Sequence, residues 1–220
     1  MITTKNLLVE FIGTFTLIFV GIASIVVNAG LVGVALAHGL AIAVMVSAMG
    51  YVSGGFFNPA VVVGGLVGGK ISLIDSIAYI ITELIGGAAG AFAVKVIFPA
   101  AMVDAVKLGT PMLASGVEFL PGILMELIMT FFLVIVVYGT AIDPRGPKPV
   151  AGLIIGLTIT LDIIVGGPIT GGSMNPARTF GPAIVGGYWT DHIVYWIGPL
   201  AGAILAALCY TKIIGKDAEK

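Results

Sequence analysis

Residues 53–60 read SGGFFNPA, and residues 170–177 read TGGSMNPA. Both octets carry a small hydroxyl residue, a glycine pair and an Asn-Pro-Ala, in a chain that is otherwise nearly all apolar. Asparagine is a strong helix N-cap, and proline suits the first helical position because its missing N–H would have no partner there. Each Asn-Pro therefore opens a helix, and the glycines before it permit the sharp return that brings the chain to that point. One Asn-Pro is an ordinary turn signal. Two copies at a fixed spacing ask for a common explanation.

The surroundings supply it. The chain has 220 residues, 59% of them hydrophobic and only 10% charged, with mean hydropathy +1.16; soluble domains carry about 25% charge. Six segments, 6–27, 32–50, 72–97, 119–140, 149–165 and 192–213, are long enough to cross a hydrocarbon layer about 30 Å thick at 1.5 Å per residue. The apolar stretches after Asn58 and Asn175, PAVVVGGLVG and PARTFGPAIVGG, are too short to cross. Stretches of that length are expected to enter the membrane and stop, with their backbone covered by protein or water. The run from Leu7 to Val27 carries Glu10 and lacks a small-residue cleavage signal, so it is a retained span and not a signal peptide.

The repeat extends past the octets. VEFIGTF at 9–15 matches MELIMTF at 125–131, Gly39-Leu40 matches Gly156-Leu157, and Tyr79 and Gly86 match Tyr195 and Gly202. The chain thus divides into a first repeat over 1–100 and a second over 118–220, together one domain. Each unit has three spans and one short segment. Three is odd, so the second unit enters the membrane from the opposite side, and the two short segments dip in from opposite faces. With the N-terminus in the cytoplasm, Lys5, Lys70, Arg145, Lys148, Lys212, Lys216 and Lys220 fall inside, and Lys95 and Lys107 outside. This follows the positive-inside rule.

Several function classes drop out. Net charge is -1 without a basic patch, so nucleic acid is not an expected partner. His38 and His192 have no metal-ligand spacing, and no nucleophile–base pair or phosphate loop occurs. No enzyme activity, metal or cofactor is expected. Cys209 has no intrachain disulfide partner. A carboxylate-relay carrier is the competing membrane class, with Glu10, Glu83 and Glu126 as its candidates. Against it, two asparagine caps meeting at mid-depth are polar groups in lipid, and a water-filled path satisfies them most cheaply.

Asn58-Pro59-Ala60, Asn175-Pro176-Ala177, the Arg178 that follows, and Glu10 and Glu126 in the first span of each repeat resemble the aquaporin and glycerol-facilitator family over essentially the whole chain. The resemblance implies an all-α membrane protein with six tilted helices and two re-entrant half-helices stacked tip to tip. It further implies a homotetramer with one pore per subunit in the cell membrane. It places a filter at His38, twenty residues before Asn58, at Ile163, twelve before Asn175, at Gly172 and at Arg178. Strict water channels of the family resemble Phe, His, a small residue or Cys, and Arg at these places. Here the aperture is expected to be wider, with one apolar wall. This set is similar to filters that pass water with ammonia, hydrogen peroxide or urea. Glycerol facilitators carry an aspartate after the arginine, where this chain has Thr179; slow glycerol passage stays open.

Glu10 and Glu126 are expected to brace the glycine-rich loops through backbone N–H groups, because a buried carboxylate demands donors. Arg178 is expected to repel cations, and the opposed helix ends to repel protons. At the matching place in the first repeat stands Val61. Glu83, where many relatives of that family carry Gln, and Asp162 remain unassigned among a subunit contact, a central axis and the pore vestibule. The short tails point to a prokaryotic cell membrane.

Overall fold

The computed structural model describes residues 2–215. Lys216 and Lys220, which the charge argument assigns to the N-terminal face, lie outside the described residues. The elements run α1 (Thr4–Val26), α2 (Gly30–Ser53), α3 (Pro59–Val67), α4 (Leu73–Ile97), α5 (Ala100–Ala105), α6 (Phe119–Val137), α7 (Ala151–Thr170), α8 (Pro176–Gly186) and α9 (Val194–Cys209). Short π-helical turns, Tyr138–Ile142 and Tyr210–Ile214, extend α6 and α9. Among the described residues there is no strand, and six helices are long and apolar enough to span a membrane. The chain is a multi-pass membrane protein.

The spanning helices are inside-out by the standards of a soluble bundle. On α4, Ile74, Ile77, Ile81, Ile85, Phe92 and Val96 form an exposed row at helical spacing, while Tyr79, Glu83, Gly86, Gly87 and Gly90 face inward. With lipid outside, no hydrophobic effect drives helix against helix, so close backbone approach does. Glycines provide it. A Cβ on Gly39 would collide with the carbonyl oxygen of Gly156, and one on Gly156 with that of Gly39, so α2 and α7 cross at the repeat-related pair. Gly86 sits on the Phe11 carbonyl and Gly202 on that of Leu127, which makes α1 against α4 the counterpart of α6 against α9.

The second and fifth spans run further than the sequence suggests, to Ser53 and Thr170 where 50 and 165 were expected. Pro168 lies inside the last turn of α7. The stop comes at Gly54 (φ 101°) and Gly171 (φ 84°), whose left-handed backbone closes each helix as its C-cap. Beyond each cap the chain turns back into the molecule and opens a half-helix. The far end of α3 returns towards Lys70 at the N-terminal face. That of α8 reaches the opposite face, where the Lys95 ammonium donates to the Val185 carbonyl at 2.8 Å.

Candidate functional site

The two half-helix starts meet in the middle of the bundle. The Asn58 side-chain oxygen accepts the Ala60 N–H at 2.8 Å, and the Asn175 oxygen accepts those of Ala177 and Arg178 at 2.9 and 3.3 Å. These caps leave the amide nitrogens to donate. Asn58 Nδ2 donates to the Met174 carbonyl and Asn175 Nδ2 to the Phe57 carbonyl, both at 2.9 Å. Each repeat is thus bonded to the backbone of the other. An amide has two N–H groups, so each asparagine keeps one for the cavity it lines. Phe57 and Met174 stand at φ 50° and 53°, left-handed positions that cost a non-glycine residue about 1–3 kcal/mol. That cost turns their carbonyls across to the opposite asparagine.

A carboxyl stands behind each loop. Glu10 is wholly buried and accepts the Phe56 and Phe57 N–H groups at 3.1 and 2.7 Å. Glu126, equally buried, accepts the Ser173 and Met174 N–H groups at 2.9 and 2.6 Å and the Thr170 hydroxyl at 2.6 Å. Glu83 faces neither lipid nor a vestibule. It is buried, and its Oε1 accepts the Asn58 N–H at 2.9 Å. Asp162 is buried too, with Oδ2 bonded to no protein group.

One cavity of about 300 Å³ begins at Lys70 and Ile142 on the N-terminal face and passes Val137, Leu133 and Val61 to Asn58 and Asn175. It continues to His38, Ile163, Gly172 and Arg178, which share its wall. Among the described residues no carboxylate lines it. Leu17, Ile42, Val46, Ile155 and Ile159 add aliphatic wall. Its polar side chains are those of Lys70, Ser53 and Ser173 besides the asparagine pair, His38 and Arg178.

In that part of the wall the His38 Nδ1–H donates to the Val34 carbonyl at 2.8 Å, which leaves Nε2 as an acceptor. Gly21 makes room for that ring, since a Cβ there would collide with Nε2. Arg178 is 3% exposed, and its Nη1 donates to the Gly109 carbonyl at 2.8 Å. Gly109 arrives at the end of a left-handed run, Lys107, Leu108 and Gly109 at φ 48°, 52° and 61°, anchored by the buried Leu108. Gly109 carries no sequence signal, because it lies in the link between the repeats. Gly172 has φ 61°, and a Cβ on it would press to 3.2 Å from Ile163 Cγ1.

Two polar clusters lie at the ends of the spans. Arg145 forks onto Asp143, Nε to Oδ1 at 2.9 Å and Nη2 to Oδ2 at 2.7 Å, and the Tyr210 hydroxyl donates to the same carboxylate at 2.9 Å. The Arg145 hydrogen bonds hold Asp143 well below the usual carboxylate range. On the opposite face the Trp196 indole N–H donates to His192 Nε2 at 3.1 Å, so the proton of the neutral ring is on Nδ1. Burial lowers the pKa of His192.

Six spans, two half-helices joined at their tips and a polar-pointed cavity beside the junction define a membrane channel fold. The chain belongs to the major intrinsic protein family, whose model matches residues 1–210; it is a channel, not an enzyme. It is 44% identical to a probable aquaporin TIP3-2 of Arabidopsis thaliana, over 94% of this chain and 82% of that one. It is 43% identical to aquaporin TIP4-4 of Zea mays, over 94% and 85%. The fold matches the X-ray structure of the aquaglyceroporin from Plasmodium falciparum with TM-score 0.86 at 23% identity, covering 98% of each chain. Both of these curated relatives are plant proteins, whereas the expectation for this chain was a prokaryotic cell membrane.

Proposed function

We propose that this chain is a passive channel for water and small neutral solutes, namely ammonia, hydrogen peroxide and urea, and that it excludes protons and ions. The observation that carries the reading is the single cavity whose wall includes Asn58, Asn175, His38 and Arg178. Solutes shed part of their hydration among aliphatic side chains and regain hydrogen bonds at the asparagine amides, His38 Nε2 and the Arg178 guanidinium. An arginine at a constriction and two helix N-termini pointed at the centre oppose any cation there. With Ile163 and a side-chain-free Gly172 on two sides, the filter admits solutes wider than water. His38, Ile163, Gly172 and Arg178 are its selectivity residues, and the two Asn-Pro-Ala turns its central contact. Glu10 and Glu126 are loop braces.

The same reading divides the chain into repeats 1–100 and 118–220, puts both termini in the cytoplasm and assembles four copies, each with its own pore. A proton-coupled carrier is disfavoured because Glu10, Glu83 and Glu126 are engaged by loop N–H groups away from the cavity. The test is stopped-flow light scattering on proteoliposomes with sucrose, urea and glycerol gradients, and an internal pH dye under an ammonia pulse. Linear, unsaturable water flux with rapid alkalinisation is expected. Saturable uptake driven by a pH gradient overturns the channel reading. Water flux without alkalinisation removes ammonia, and glycerol flux equal to that of water replaces this solute set with the facilitator's.

A further inference from the structure

Three successive backbone N–H groups, of Phe56, Phe57 and Asn58, point at two carboxyl groups that arrive from different helices. Glu10 on α1 takes the first two, one on each oxygen. Glu83 on α4 takes the third on Oε1. Its Oε2 is enclosed and has no backbone, hydroxyl or cationic partner. The group beside it is the Glu10 carboxyl, which takes the adjacent N–H of the same turn. Two carboxylates cannot hydrogen-bond each other, because each is an acceptor only. Such a contact requires a proton between them.

The surroundings offer no cation in its place. Among the described residues the one ion pair is Arg145 with Asp143. The titratable groups that face the pair are Tyr79, whose hydroxyl donates to the Ser53 carbonyl at 2.8 Å, and more remotely Asp75. Both are acidic. Like carboxyls sharing a desolvated site do not both ionise.

We propose that Glu10 and Glu83 hold one proton between them, carried on Glu83 Oε2 and donated to Glu10. Glu83 is then a neutral acid that positions the first asparagine: it accepts the Asn58 N–H and donates to the neighbouring brace. The pair bears one negative charge, the same as the lone Glu126 behind the second loop. A second ionised carboxylate behind α3 would offset the positive helix end that disfavours cations at the centre.

The proposal predicts an asymmetry between two conservative variants. In Glu83→Gln the amide oxygen still accepts the Asn58 N–H and the NH₂ replaces the proton. In Glu10→Gln an NH₂ is forced against a backbone N–H. Infrared spectra of the full chain in proteoliposomes at neutral pH are expected to show a protonated-carboxyl C=O band that shifts in D₂O and loses intensity in Glu83→Gln. Asp162 can add its own band, so assignment is by the difference between variants. Water permeability of Glu83→Gln is expected within about twofold of the parent, while Glu10→Gln falls about tenfold or fails to assemble. A band unchanged in Glu83→Gln, or a parent without one, overturns the proposal, as does tolerance of Glu10→Gln with loss in Glu83→Gln. The role rests on the channel reading but its spectroscopic test does not: a parent that shows the band and conducts no water sinks that reading alone.

Discussion

The loops before Asn58 and Asn175 have one shape and two chemistries. Both follow a left-handed glycine cap, both put a non-glycine residue at positive φ before the asparagine, and both rest on a glutamate from the first helix of their repeat. Tyr79 and Tyr195 donate to matching carbonyls, of Ser53 and Thr170. Around this shared backbone the partners differ. In the second loop Ser173 and Thr179 supply hydroxyls, bonded to each other at 2.6 Å, and the Asn175 N–H is met locally by Ser173 Oγ at 3.4 Å. The first loop has Phe56 and Val62 at those places, which supply none, so the Asn58 N–H is met by Glu83 from α4. The residue after each motif differs as well, Val61 against Arg178. Backbone geometry is what the duplication keeps, and side-chain chemistry is what each half adjusts to its own side of the pore.

The comparison can be broken most severely at its common support. Glu126→Ala orphans two buried N–H groups and a hydroxyl, each worth about 1–3 kcal/mol, so a loss of about 3 kcal/mol or more is expected. Thermal unfolding in detergent measures it, and Glu10→Ala should fall close behind, with two N–H groups orphaned. A melting temperature unchanged in both would remove the carboxylates from the support. Making the halves alike at the next position, by Arg178→Val, is expected to raise methylammonium permeability about tenfold, or 1.4 kcal/mol of barrier, with water within about twofold. Unchanged cation leak in flux assays would place the barrier in the helix ends alone. Narrowing the filter by His38→Phe should cut urea flux several-fold and leave water largely intact, as read by stopped-flow.

The smallest effect is expected on the face opposite the N-terminus. His192 has a lowered pKa in the folded chain, so the folded state binds fewer protons than the unfolded one. Its contribution is complete above the ordinary value of 6.5 and is lost as pH falls below it. Protonation also puts a hydrogen on Nε2 and breaks the Trp196 bond. A fall in melting temperature of about 2 °C on acidification, absent in His192→Phe, is the expected reading.

Whatever is duplicated was legible in the chain: the spans, the two short helices, and the pairs Gly39 with Gly156 and Tyr79 with Tyr195. Duplication turns weak local signals into one strong one. Outside it, His38, Ile163 and Arg178 were reached only through the family resemblance, and other residues were not legible at all. Glu83 has Pro199 at its counterpart position, so no repeat flags it, and a carboxyl alone on a span fits several surroundings. Gly109 reaches Arg178 from the link between repeats through a strained run that no motif announces. The ends of α2 and α7 were misjudged because Gly50 and the Gly166–Pro168 stretch suggest a stop, whereas the stop is decided by the left-handed caps beyond them.

The exchange of bonds between the two asparagines has a consequence for biogenesis. Until residues 174–175 have arrived, the amide of Asn58 and the carbonyl of Phe57 have no mates across the midline. A nascent chain that has threaded only its first three helices therefore holds an unfinished polar knot in the bilayer. Completion of the C-terminal portion is what closes it.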